Sequence, residues 1–78
     1  MALGRSTKRS VTIAGHETSI SLEPIFWAAL ERAATAEKLP LNALIARIDV
    51  ERLDAAKGAP NLTSAIRQWL FEREAGPG

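Results

Sequence analysis

The spacing of apolar residues changes from strand-like to helix-like within one short stretch, TSISLEPIFWAAL at residues 18–30. Up to Leu22, small polar residues alternate with apolar ones, which is the period of a β-strand with one buried face. From Pro24 onward, apolar residues recur every three or four positions, as they do in a helix. The stretch predicts a short strand that leads directly into a helix.

A second alternating run, SVTIAG at residues 10–15, precedes this strand. The apolar residues of the two runs differ in parity: Val11 and Ile13, then Ile20 and Leu22. One straight strand would therefore place the two pairs on opposite faces. A type II′ hairpin turn at Gly15 and His16 brings all four onto one face and pairs Val11 with Ile20. A β-bulge at Gly15 restores the parity equally well, but we favour the hairpin, with His16 as a turn residue.

Three helices are predicted after the hairpin. The first runs from about Pro24 to Glu37, the second from Pro40 towards Ala56, and the third over residues 62–74 after the N-cap Asn61. The apolar positions of the hairpin and helices form the predicted core and dimer interface: Val11, Ile13, Ile20, Leu22, Phe26, Trp27, Leu30, Leu44, Ile45, Ile48, Ile66 and Trp69. The predicted fold class is α+β and mostly helical, with an N-terminal β-hairpin followed by three helices.

The length of 78 residues corresponds to one small domain. A core of this size contributes only about 3–5 kcal/mol, so a disulfide, a metal or a partner chain is usually needed. With no cysteine and one histidine, the chain offers neither a disulfide nor a structural zinc site. We therefore expect a homodimer and predict no metal and no cofactor.

The net charge of +1 conceals an uneven distribution. Residues 1–10 contain three of the ten basic residues and none of the nine acidic ones. This predicts a flexible basic arm over residues 1–9, a folded domain over residues 10–74 and a disordered tail over residues 75–78. A solvated terminus and a phosphate-contacting arm are equally good interpretations of the arm. Because no segment resembles a secretion signal or a membrane span, we expect a cytoplasmic protein.

The segment TSISLEPIFWAALERAATAEKLPLNALI, residues 18–45, resembles the ribbon-helix-helix family of DNA-binding proteins, the Arc and MetJ type. In that family a short alternating strand is followed by two helices. The longer stretch over residues 8–74 resembles a bacterial branch of stand-alone domains with an extra N-terminal strand and a C-terminal helix. The resemblance implies an intertwined homodimer that binds double-stranded DNA and regulates transcription. Because the residues offer no plausible catalytic cluster, we expect no enzymatic activity.

The resemblance also implies which residues contact DNA. In the family, outward side chains of the paired strands read bases in the major groove, and the N-terminus of the second helix binds phosphate. The corresponding positions here are Glu17, Ser19 and Ser21 on the strand and Leu41 and Asn42 on the helix, and the basic arm adds Lys8 and Arg9.

Other interpretations of these residues stay open. Ser19 and Ser21 also suit a solvated sheet face, and Asn42 suits a first helical turn with local hydrogen bonds. The alternative function is a dimeric scaffold that binds a protein or a small ligand without reading a groove. The carboxylate of Glu17, the amide missing at Pro40, and the width of a sheet built from two hairpins favour this alternative.

Overall fold

The computed structural model describes residues 5–54 and 61–76. Two strands and three helices follow one another along the chain: β1 (Thr7–Ile13), β2 (His16–Leu22), α1 (Pro24–Glu37), α2 (Leu41–Asp54) and α3 (Leu62–Ala75). The predicted α+β fold with a hairpin and three helices is thus confirmed. The predicted continuation of α2 to Ala56 lies outside the described residues.

The hairpin turn is formed by Ala14 and Gly15, and not by Gly15 and His16 as predicted. Both turn residues have positive φ, 51° and 83°, as a type I′ turn requires. His16 is the first residue of β2 and pairs with Ile13, while Val11 pairs with Thr18. The predicted pairing of Val11 is therefore wrong by two residues. Because strand side chains alternate with a period of two, this shift leaves every side chain on its predicted face.

The observed strand and helix limits also correct the predicted domain boundaries. Since β1 begins at Thr7, residues 7–9 are paired with β2 and do not belong to a flexible arm. At the other end, Ala75 is the last residue of α3, and the N–H of Gly76 donates to the carbonyl of Glu72 at 3.0 Å. Residues 1–4 and 77–78 lie outside the described residues.

One residue, Glu23, separates β2 from α1. Its carbonyl accepts hydrogen bonds from the N–H groups of Phe26 and Trp27, at 2.9 and 3.1 Å, and Pro24 occupies the first helical position. α1 ends at Lys38, whose φ of 59° is left-handed. α3 starts after Asn61, whose Oδ1 accepts from the N–H of Ser64 at 2.8 Å, so the predicted N-cap is confirmed.

The hydrophobic core is closed within a single chain. All residues of the predicted core are buried except Phe26 and Trp69, which are half-buried and pack against it. α2 contacts both β1 and α3, and its Leu44, Ile45 and Ile48 are at most 2% exposed. β1 and α3 are additional to the unit formed by β2, α1 and α2. They therefore cover apolar surface that, from the size of the chain, we expected a partner chain to cover.

Two ion pairs hold α3 against both ends of α1. Arg67 binds the carboxylate of Glu23 at 3.0 Å, and Arg73 binds that of Glu37 at 3.0 Å. The pKa of Glu23 is lowered by a hydrogen bond from its own backbone N–H and by Arg67. The pKa of Glu37 is lowered chiefly by its hydrogen bond with Arg73. Both carboxylates are therefore favoured in the charged form by the folded structure.

The turn conformation predicts opposite effects of substitutions at its two residues. Gly15→Val should lower the free energy of unfolding by about 1 kcal/mol or more, because a β-branched residue is strained at positive φ. Space is not the cause, since a Cβ at Gly15 would meet nothing within 4 Å. Ala14→Asn should raise the free energy of unfolding by about 0.5 kcal/mol, because Asn-Gly suits type I′ turns. Urea unfolding measures both, and a destabilising Ala14→Asn would contradict the turn.

Stability should fall as the pH decreases below about 4.5, the ordinary pKa of glutamate. The lowered pKa of Glu23 and Glu37 means that the unfolded chain takes up these protons first, so acid favours unfolding. Their contribution is complete at neutral pH and is lost as the pH passes through the lowered values. Urea midpoints measured between about pH 7 and pH 3 test this.

The matched variants assign the pH dependence to the two pairs. Arg67→Gln and Arg73→Gln should each make stability less dependent on pH, because each removes a cause of one lowered pKa. Arg5→Gln removes the same charge from a residue that makes no ion pair within the described part of the chain, so its pH dependence should match wild type. Equal flattening by all three variants would point to net charge instead.

Candidate nucleic-acid interface

The hairpin exposes one polar face, which we call the outer face. It consists of three cross-strand pairs: Lys8 with Ser21, Ser10 with Ser19, and Thr12 with Glu17. All six side chains are exposed except Ser21, which is half-buried. The two charges lie at opposite ends, and the hydroxyl groups between them can each donate or accept a hydrogen bond. A surface of short hydroxyl side chains allows close approach of a ligand that presents both donors and acceptors.

β2 has an unpaired edge on the side away from β1 within the described residues. In a hairpin with a two-residue turn, the residues flanking the turn exchange hydrogen bonds, and every second residue does so thereafter. The backbone groups of His16 and Thr18 therefore point towards β1. Those of Glu17, Ser19 and Ser21 point to the unpaired edge, where another strand can add.

The N-terminus of α2 lies beside the hairpin. The side-chain amide of Asn42 donates to the carbonyl oxygen of Thr12 at 3.4 Å, which connects the first turn of α2 to β1. The carbonyl of Pro40 accepts from the N–H groups of Ala43 and Leu44, at 3.0 and 3.1 Å. The structure thus gives the Asn42 side chain a hydrogen bond to β1, 30 residues away along the chain, and not the local hydrogen bond considered above, and it places this helix end next to the outer face.

Two backbone amides remain available at this helix end. Within the described residues, the N–H groups of Leu41 and Asn42 have no acceptor, while the Leu41 side chain is half-buried against the core. Free amides at a helix N-terminus carry partial positive charge and can bind an anion such as phosphate. The Leu41 backbone, and not its side chain, is therefore the group available to a ligand.

Lys38 is a further basic residue at this end that sequence reasoning missed. It is exposed, makes no ion pair within residues 5–54 and 61–76, and lies three residues before Leu41. The sequence could have indicated this position, because the turn between the first two predicted helices is short and Lys38 therefore lies close to the start of the second. Its left-handed φ of 59° forms that turn.

Arg9 lies on the opposite face of β1 from Lys8. Its guanidinium group is 4.6 Å from the centroid of the Trp27 ring and 3.4 Å from the carboxylate of Glu31. The indole N–H of Trp27 in turn donates to the carbonyl of Thr7 at 2.8 Å. Arg9 therefore attaches β1 to α1, and the prediction that Lys8 and Arg9 form one phosphate-contacting arm is corrected: neighbouring strand residues point to opposite faces.

Most other arginines are also occupied within the fold. Arg47, Arg52, Arg67 and Arg73 each form an ion pair with a carboxylate. Among the described residues, the basic side chains without an ion pair are Arg5, Lys8, Arg32 and Lys38. Apart from Arg32, these residues lie just before β1, on the outer face or before α2.

One comparison with known proteins agrees with this arrangement of strand and helices. A family model described as a ribbon-helix-helix domain matches residues 6–73. The chain belongs to the ribbon-helix-helix family. Members are generally DNA-binding transcription regulators without catalytic function, and they usually form homodimers. Neither the comparison with curated proteins nor that with solved structures gave a significant match.

In this ribbon-helix-helix chain, β2, α1 and α2 form the strand-helix-helix unit, whereas β1 and α3 are additional. The described residues contain no group of three histidine, cysteine, aspartate or glutamate side chains that could hold a metal ion. Within the same residues, none of the helices has the length and apolar character needed to cross a membrane. The outer face and the adjoining end of α2 are thus the surface of greatest functional interest.

Proposed function

We propose that this ribbon-helix-helix protein is a DNA-binding transcriptional regulator that acts as a homodimer through its β2 strands. The observation that carries the proposal is the contact between Asn42 and Thr12, because it brings the phosphate-binding helix end beside the exposed outer face. A base-contacting surface and a phosphate-contacting surface are thereby neighbours in one chain. Protein–DNA contacts divide into these same two classes.

The length of β2 favours one register for the dimer. Two antiparallel copies of His16–Leu22 overlap completely only when Ser19 of one chain lies opposite Ser19 of the other. Glu17 then faces Ser21 of the second chain, so the two Glu17 carboxylates do not meet. The hydrogen bonds of this pairing use the backbone groups that point to the unpaired edge of β2.

The resulting sheet has four strands, with the two β1 strands outermost. Three strand spacings of about 4.8 Å separate the outer strands by roughly 14 Å, slightly more than the major groove width of about 12 Å. The central β2 strands therefore face the base edges, and the β1 strands lie over the rims of the groove. Lys8 on each β1 is placed at the phosphates, and Ser19 and Ser21 are placed at the bases.

The N-terminus of α2 provides a second phosphate contact in this arrangement. The free amides of Leu41 and Asn42 bind one phosphate oxygen, and Lys38 adds a full positive charge at the same end. Because the Asn42 side chain donates to the carbonyl of Thr12, it is the backbone N–H of Asn42 that contacts the phosphate. Loss of the Pro40 amide is tolerated, since two further amides remain.

A dimeric scaffold without groove reading is the second candidate function. It is favoured by the Glu17 carboxylate on the outer face, which repels phosphate, and by the number of arginines held in internal ion pairs. The two candidates differ in a measurable quantity, the salt dependence of DNA affinity. A scaffold shows no such binding, whereas a regulator loses affinity steeply as salt rises.

The dimer register predicts which single cysteine forms an intermolecular disulfide. The natural chain has no cysteine, so each variant reports on one position. Ser19→Cys should cross-link under mild oxidation, because Cα atoms of a hydrogen-bonded antiparallel pair are about 5.5 Å apart. A mixture of Glu17→Cys and Ser21→Cys chains should form the mixed disulfide. Non-reducing electrophoresis and mass spectrometry measure both.

Ser10→Cys is the matched control for this cross-link. Ser10 lies on the same face, opposite Ser19, but on β1, so its counterpart in the dimer is roughly 14 Å away and should not react. If Ser10→Cys links as readily as Ser19→Cys, the β2 strands are not paired at the centre. If Ser19→Cys alone fails to link, the proposed register is wrong.

Lys8 and Arg9 provide a matched pair for the DNA prediction. Lys8→Ala should flatten the slope of log affinity against log salt by about 2, because each dimer loses two phosphate contacts worth about 0.9 each. Arg9→Ala removes the same charge from the opposite face and should leave the slope unchanged. Fluorescence anisotropy of a labelled duplex across a salt series gives both slopes.

The outcomes of this titration separate the two candidate functions. Equal flattening by Lys8→Ala and Arg9→Ala would show that total charge, and not the outer face, determines binding. Glu17→Gln should raise affinity for all sequences, whereas Ser19→Ala should change the preference among sequences. Absence of binding at low salt, with no gain from Glu17→Gln, would leave the scaffold as the better function.

A further inference from the structure

A groove between α1 and α3 exposes two large apolar side chains. Ile25 is 67% exposed and Phe71 is 74% exposed. We call this surface the α1/α3 groove, and its lining residues are Ile25, Phe26, Ala29, Arg32, Leu70, Phe71 and Glu74. Single exposed apolar residues are ordinary, but two around one concave apolar surface indicate an interaction site. The groove contains no residue of the hairpin or of α2.

The two walls of the groove carry opposite charges. Arg32 lies on the α1 wall and Glu74 on the α3 wall, and both side chains are exposed. Neither forms an ion pair within the part of the chain that the structure describes, whereas the α3 residues Arg67 and Arg73 do. A binding partner that fits this groove must therefore present an acidic group to α1 and a basic group to α3.

A second copy of this chain presents both an acidic and a basic group in this way. The ion pairs of Arg67 with Glu23 and of Arg73 with Glu37 show that α1 and α3 run in the same general direction. A two-fold axis along the groove therefore places α1 of one copy against α3 of another. Arg32 of each copy then meets Glu74 of the other, and the apolar residues between them are covered.

We infer that the α1/α3 groove binds the α1/α3 groove of a second copy of this chain. This contact is separate from the β2 edge, so a chain that uses both surfaces assembles beyond the dimer. Stable complexes bury about 800 Å² on each partner, and a groove with five apolar lining residues is smaller than that. The association is accordingly weak, with a dissociation constant in the micromolar range or above.

Sedimentation equilibrium of the full chain over roughly 10–500 μM tests the contact through its apolar part. Phe71→Asp should halve the mass reached at high concentration, because it places a charge in the interface. The side chain is mostly exposed, so the fold should be retained, and circular dichroism verifies this. Glu72→Arg is the control, since Glu72 is an exposed residue of α3 outside the groove lining and should leave the mass unchanged.

Charge reversal tests the two-fold arrangement itself. Arg32→Glu alone places two acidic residues opposite each other in both pairs of the contact, and Glu74→Arg alone places two basic ones there. Each variant should therefore fail to associate through the groove. An equimolar mixture of the two variants restores both attractive pairs and should regain the wild-type mass. An effect of folding or net charge would not be repaired by mixing.

The outcomes separate this contact from the β2 dimer. If wild type reaches a tetramer and Phe71→Asp stops at a dimer, both surfaces are used. If wild type reaches a dimer and Phe71→Asp is monomeric, the groove is the dimer contact, and the proposed β2 pairing fails. The inference is overturned if Phe71→Asp matches wild type at every concentration, or if the mixed charge variants do not associate.

Discussion

Burial of one face of the hairpin is the constraint on which the rest of this structure depends. The four apolar side chains of that face are Val11, Ile13, Ile20 and Leu22, and all are at most 8% exposed. Because strand side chains alternate, burying these residues directs the polar residues between them outward. The same contact packs α2 against β1, and the hydrogen bond from Asn42 to Thr12 then brings the start of α2 to the edge of the outer face. The candidate DNA surface is thus a consequence of core packing.

The additional elements β1 and α3 bury apolar surface of the strand-helix-helix unit that a partner chain would otherwise have to bury. α3 covers α2, and β1 occupies one edge of β2, so the core is complete without a second chain. The remaining demand for a partner comes from the unpaired edge of β2 and from the apolar α1/α3 groove. Both are surface features, and they can be altered singly by substitution without opening the core.

The distribution of arginines separates structural from functional charge. Arg9 binds Trp27 and Glu31, while Arg67 and Arg73 hold α3 to the two ends of α1. Surface ion pairs of this kind contribute little each, but together they orient α3 on the rest of the domain. Few basic groups then remain for a polyanion, and Lys8 and Lys38 are among them. The low net charge is therefore compatible with a local phosphate-binding surface.

Local patterns in the sequence determined the elements and their buried faces. The change of period at Pro24, the parity of the apolar strand residues and the N-cap Asn61 depend on neighbours along the chain, so they predicted the hairpin, α1 and the start of α3. The resemblance over residues 18–45 likewise depends on this order of elements. These features are short-range and can be read without knowing which segments meet.

Only the tertiary structure decided the register of the hairpin and the contacts between distant segments. The turn at Ala14 and Gly15 differs from the predicted one by a register shift that leaves all faces unchanged, so no pattern of polar and apolar residues could distinguish them. Arg9 was assigned to a free arm because charge counting does not reveal Trp27 and Glu31, which lie about 20 residues away. The α1/α3 groove arises where two helices from opposite halves of the chain meet, and sequence periodicity carries no information about that meeting.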